Sequence, residues 1–263
     1  METSERAERY ARVVAPSLLG VARRAVAAAG IEPAGSVLDA GANTGLAAFL
    51  AATVVGPDGS VVAIDPDGEY LAVGEARASA AGYRAIRWQP MTLGVLPFAH
   101  ESFDAVLSVH ALTLVADPVV YLEELRRVTV EGGSVVVATW GAPRENEWIG
   151  AVERAVSRAG GPMLPRVAVV AEPGNLEALV QAAGLAEVEG VRFGDPLRVS
   201  GVDGLWEWAT ALRAWSEVLS SLNEEVKARA RDRLAREFEG RTRGGELAIG
   251  REMTMVRATV PPS

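Results

Sequence analysis

The chain has 263 residues, 49% of them hydrophobic, with a formal net charge of -8 and a pI near 5.0. That is enough apolar material for one substantial core, and the acidic balance leaves no broad basic face to neutralise phosphates, which disfavours a nucleic-acid substrate. Cysteine is absent, which removes disulfides, thiolate metal sites and cysteine nucleophiles together. The N-terminus METSERAERYARVV is charged where a signal peptide needs an apolar core, and no apolar run reaches the roughly 18 to 20 residues that cross a bilayer. These features predict a single domain over residues 1–263, cytoplasmic and not inserted in a membrane.

In chain order, Glu5 to Ala29 reads as helix interrupted by Pro16, and Gly30 ends it. These are N-terminal helices within residues 1–35. Strands and helices then alternate: a strand Ser36 to Ala40, a helix Ala47 to Val54, a strand Val61 to Asp65, a helix Glu69 to Ala80 and a short strand Arg84 to Trp88. A strand Phe103 to Val109, a helix Asp117 to Val128 and a strand Ser134 to Trp140 follow. Asp117-Pro118 supplies an N-cap with proline at the first helical position, and Gly132-Gly133 reads as the break between helix and strand. Alternation of this kind implies crossover connections and a parallel sheet covered by helices on both faces.

Beyond Trp140 the pattern gives helices at Glu147 to Arg158 and Pro173 to Ala183, a strand at Ala186 to Phe193, a helical block over Val202 to Phe238 and a long final strand within Glu246 to Val260.

The most informative stretch is Val37 to Gly45, VLDAGANTG: an apolar strand that ends in a glycine-rich loop. A dinucleotide fingerprint spaces its glycines G-x-G-x-x-G, whereas Gly41, Asn43 and Gly45 fall at every second position behind Asp39. Asparagine tolerates positive φ better than most side chains, so Asn43 can hold a position suited to glycine. Asp65 closes the next strand twenty positions after Gly45, where a carboxylate can accept hydrogen bonds from both hydroxyls of a ribose. A ribose does not by itself choose between a nicotinamide dinucleotide and other adenosyl cofactors.

D-x-G-x-N-x-G after the first strand resembles motif I of the class I S-adenosylmethionine (AdoMet) methyltransferases, with Asn43 in the middle glycine position. LPFAHESFDAVLSVHAL is similar to the family's stretch around strand four, through Leu96, Pro97, Phe98, Phe103 and Asp104, and DPVVYLEELRRVTVEGGSVVVATW to its following helix, turn and fifth strand. Within the family the chain looks closest to the small-molecule methyltransferases of the ubiquinone/menaquinone-biosynthesis type. The resemblance implies a Rossmann-like seven-stranded, mostly parallel sheet with an antiparallel last strand, and a cofactor-binding core over residues 36–140. It makes Val202 to Phe238 a helical insertion before the last strand, placed to act as a lid over residues 202–238.

The resemblance also implies AdoMet as cofactor, held by Asp39, Gly41, Asn43, Gly45, Asp65, Pro66, Thr92 and Leu93, with Tyr10 near the methionyl end. Thr92 stands where the family commonly has an aspartate for the adenine amino group. His110, just past the fourth strand, is the candidate general base, since imidazole titrates in the useful range. Trp140, Trp148, Trp206, Trp208 and Trp215 suggest an apolar or aromatic pocket, while Trp206, Trp208 and Trp215 read alternatively as the apolar contact that fixes the inserted helices to the body. The histidines and acids show no metal-ligand spacing. The expected activity is methyl transfer to a small, apolar or aromatic molecule. An NAD(P)-dependent oxidoreductase and an AdoMet-binding protein without methyl transfer are the alternatives.

Overall fold

The computed structural model describes residues 3–167, 172 and 174–262. Helices α1 (Thr3–Val13) and α2 (Leu19–Ala28) flank a short 3-10 turn that begins at Ala15 and carries Pro16. The body then runs β1 (Ser36–Ala40), α3 (Leu46–Val55), β2 (Ser60–Asp65), α4 (Gly68–Ala81), β3 (Ile86–Pro90), β4 (Phe103–Val109), α5 (Pro118–Val128) and β5 (Thr129–Trp140). After it come α6 (Glu147–Arg158), α7 (Asn175–Ala182), β6 (Ala186–Gly194), β7 (Leu197–Val199), α8 (Gly201–Ala211), α9 (Arg213–Ser221), α10 (Glu224–Glu237), β8 (Leu247–Ile249) and β9 (Glu252–Thr259).

Seven strands form one sheet in the order β3-β2-β1-β4-β5-β9-β6, with β1 through β5 mutually parallel and β9 antiparallel to both β5 and β6. Pleating sends alternate residues to opposite faces, and here both faces are buried. Val37, Ala63, Leu107 and Val136 enter the core under α2, α3 and α4, while Leu38, Ile64, Val106 and Val137 enter the core under α5 and α7. Burial on both sides is why these strands read as unbroken apolar runs rather than alternating ones.

Three boundaries differ from the sequence reading. Strand β3 lies two residues later than Arg84 to Trp88, because register with β2 pairs Ile86 with Val61 and Pro90 with Asp65. Gly132-Gly133 does not break helix from strand. The β-branched Thr129 already begins β5, and the glycines sit inside it, where the register jumps from Phe103 opposite Thr129 to Ala105 opposite Ser134. A side chain at Gly133 would press on Thr129 and on the Asp104 carbonyl, which is why the irregularity falls there.

The long final strand is interrupted at Gly250-Arg251. Its first part, β8, leaves the main sheet to pair with β7. The helical block expected over 202–238 is made of α8, α9 and α10, and Leu212, extended at φ -64 and ψ 122, serves as the joint between α8 and α9. Pro173, the expected start of α7, lies outside the described residues; the helix itself begins at Asn175.

Candidate active site

The loop after β1 turns at the carboxyl ends of the parallel strands, where α/β sheets present their ligands. Gly41 and Ala42 donate to the Ile64 carbonyl at 2.8 and 2.9 Å, which ties the loop to the end of β2. Gly41 has φ +80, and a Cβ there would lie 2.3 Å from the Ala111 methyl. Gly45 has φ +82, and a Cβ would lie 2.2 Å from the Trp88 ring. Both therefore need glycine twice over, for conformation and for space. Asn43 adopts φ +51, in the left-handed region, as expected for the residue in that position.

Asp39 is buried at the end of β1 and accepts from the Ala48 N–H at 2.8 Å, in the first turn of α3. Burial pushes its carboxyl up to about 7; the Ala48 bond pulls the other way and the nearby charge of Asp65 adds to the rise.

Asp65 is fully buried and saturated with donors. Its Oδ1 accepts from the Asp67 N–H at 2.8 Å and its Oδ2 from the Asn43 N–H at 3.0 Å, while Nη1 of Arg213 reaches Oδ1 at 2.8 Å and Oδ2 at 3.0 Å. Burial raises the Asp65 carboxyl above its ordinary range, opposed by Arg213 and by the two backbone donors. The same Nη1 lies 3.2 Å from the side-chain oxygen of Asn43, and the guanidinium covers the ring of Tyr70 at 4.7 Å. Arg213 opens α9, so the first residue after the joint at Leu212 is the one that engages the end of β2.

His110 sits at the end of β4 with φ +60, a strained setting for a side chain of its size. Its ring stacks on Trp140 with centroids 4.0 Å apart, and neither ring nitrogen has a hydrogen-bond partner among the described residues. Burial, with the positive charge of Arg251 adding to it, pushes the imidazole down to about 3, so the ring is neutral near pH 7. Arg251, which interrupts the last strand, is held by Asp195 at 2.7 Å and by the Ser17 carbonyl at 2.7 Å.

Two connected cavities meet at this point. A narrow one of about 30 Å³ runs along the loop past Tyr10, Asp39, Gly41, Asn43 and His110. A wider one of about 300 Å³ shares Tyr10, Leu18, Asn43 and His110, and its walls include Leu114, Trp140, Val167, Leu212 and the two arginines Arg166 and Arg213. A third, arginine-lined cavity between α6 and α10 is larger but far from the loop.

The structure thus brings together Tyr10, Asp39, Gly41, Asn43, Asp65 and His110. Gly45 lies behind the loop against Trp88, Leu93 is buried beside Gly41, and Pro66 and Thr92 are exposed outside both cavities. Of the five tryptophans, Trp140 lines the wider cavity, whereas Trp148 packs edge to face on Trp208 and in a tilted contact on Trp215, all three buried where α6 meets α8 and α9. Sequence reasoning missed Arg213 and Arg166. Nothing local distinguishes them from the other arginines, and only the fold brings residue 213 to residue 65.

Residues 38–137 match the family described as "Methyltransferase domain". Nocamycin O-methyltransferase of Saccharothrix syringae is 26% identical over 92% of this chain and 91% of its own length. The ubiquinone/menaquinone biosynthesis C-methyltransferase UbiE of Geotalea daltonii is 32% identical over 43% of this chain, which spans 48% of that relative. Among solved structures, a SAM-dependent methyltransferase from Aquifex aeolicus superposes over 99% of this chain and 100% of its own, with a TM-score of 0.59 at 15% identity.

Proposed function

The chain belongs to the class I AdoMet-dependent methyltransferases, and we propose that it methylates a small molecule with an apolar or aromatic body, at oxygen. The nicotinamide alternative falls away with the cofactor class. Support for a small acceptor, and for oxygen as the accepting atom, comes from the relative that aligns over nearly the whole chain, nocamycin O-methyltransferase. The observation that carries the reading is the 300 Å³ cavity beside the glycine loop, walled by Leu18, Leu114, Trp140, Val167 and Leu212.

The residues present fit the cofactor. Asp65 offers the acceptor a ribose needs, Asp39 lines the cleft under the loop, and His110 lines the same cleft with both ring nitrogens unpartnered among the described residues. Leu93 lies beside Gly41, and Pro66 and Thr92 are exposed outside both cavities. When bound, AdoMet supplies an electrophilic methyl group on a sulfonium.

The protein's part is to align the acceptor with that methyl and to keep water out, since displacement at a sulfonium disperses charge rather than creating it. Tyr10 and Trp140 wall the approach. His110, neutral and with neither ring nitrogen partnered among the described residues, offers a hydrogen-bond acceptor to the acceptor hydroxyl. The inserted helices α8 to α10 act as a lid, moving about the extended joint at Leu212.

Incubation with methyl-labelled AdoMet and a panel of aromatic acids, phenols, total protein and tRNA tests the reading. Label in the small-molecule fraction is expected; label confined to protein or tRNA contradicts it.

A further inference from the structure

We propose that Arg213 is a specificity-determining residue: the cofactor's ribose displaces it from Asp65, and the released guanidinium, together with Arg166, then binds a carboxylate on the acceptor. The inference rests on the reading of Asp65 as the ribose carboxylate.

The first half follows from the acceptor capacity of one carboxylate. An ionised aspartate offers about four lone-pair positions. Two are taken by the backbone N–H groups of Asp67 and Asn43, and the remaining two by Nη1 of Arg213. A ribose diol needs two positions, so it and Arg213 compete for the same ones. The joint at Leu212 lets the arginine withdraw without unfolding either flanking helix.

The second half follows from where the side chain goes. Arg213 already lines the wider cavity, as does the exposed Arg166, and no aspartate or glutamate lies on that wall although the chain is acidic overall. A guanidinium withdrawn from its carboxylate into a largely apolar cavity seeks another planar anion, and a carboxylate matches its fork in two parallel bonds. The arrangement orders binding, with the cofactor first and the acid second.

The experiment is calorimetric, with S-adenosylhomocysteine and the matched pair 2-naphthoate and 2-naphthamide, on wild type, Arg213→Gln and Arg213→Lys. Thermal unfolding confirms that each variant is folded. In wild type saturated with S-adenosylhomocysteine, naphthoate is expected to bind at least about tenfold more tightly than naphthamide, and more tightly than it binds without S-adenosylhomocysteine. Arg213→Gln is expected to bind S-adenosylhomocysteine several-fold more tightly while losing the preference for naphthoate, and Arg213→Lys to retain part of that preference.

Weaker S-adenosylhomocysteine binding by Arg213→Gln overturns the proposal, since the guanidinium then serves the cofactor's own carboxylate. Equal affinities for the two probes, or no binding of naphthoate, overturn it as well. Full S-adenosylhomocysteine affinity in Asp65→Ala removes instead the ribose reading beneath it.

Discussion

Two regions of this molecule reach the same site by different means. Residues 36 to 140 carry their instructions locally: a strand, a loop whose glycines are required by φ and by contact, and a carboxylate at the next strand end. The inserted helices from Gly201 to Glu237 carry no motif. Their position is set by tertiary contacts, above all the packing of Trp148 edge to face on Trp208 at 4.8 Å and tilted on Trp215 at 5.3 Å, and by the bond from Arg9 on α1 to Thr210 on α8 at 2.6 Å. The first region carries the motifs that point to the cofactor, whereas the second lines the wider cavity through Leu212, Arg213 and Ala214. Motif recognition is therefore strong for the cofactor and silent on the substrate.

The comparison is broken most severely at Trp148, which is fully buried where α6 meets α8 and α9. Trp148→Ala is expected to cost about 3 to 5 kcal/mol in urea unfolding, from the lost transfer energy and the cavity left behind. A loss below about 1 kcal/mol would mean that the helices are held some other way.

A smaller effect sharpens the local side. Because burial raises Asp39 to about 7 in the folded protein against 3.8 as the ordinary value, the folded state binds more protons than the unfolded state between about pH 4 and 7. Asp39 thus contributes a loss of stability as pH rises through that window, a few kcal/mol at most. Asp39→Asn, which keeps an oxygen for the Ala48 N–H, is expected to flatten that slope in unfolding midpoints taken at pH 5 and 8. An unchanged slope would place the titration elsewhere.

The smallest expected effect is at Asp117, whose carboxylate caps α5 by accepting from Val119 at 3.0 Å and from Val120 at 3.3 Å. Asp117→Ala is expected to cost about 1 kcal/mol in the same unfolding assay.

How much was legible in the sequence follows the same division. The β1 loop, the end of β2, β4 and the capped start of α5 were readable because their residues answer to neighbours within a few positions: Gly41 and Asn43 to φ, Asp117 to the next two N–H groups. Strand β3 was misplaced because register with β2, not propensity, decides which residues pair. The last strand was read as continuous because Gly250-Arg251 is short, and only the burial of Arg251 against Asp195 and Ser17 reveals the break. Arg213 was invisible since its partner lies 148 positions away. Thr92 and Pro66 were placed by register with a family pattern, and register says nothing of exposure.

The measurement that bears most directly on the account is calorimetric titration of S-adenosylhomocysteine into wild type and Asp65→Ala, with circular dichroism confirming that both are folded. Removing the carboxylate that a ribose diol requires is expected to weaken binding by at least about a hundredfold, the scale of about two charge-assisted hydrogen bonds. Equal affinity in the two proteins would contradict the assignment of Asp65, and with it the site built around the end of β2.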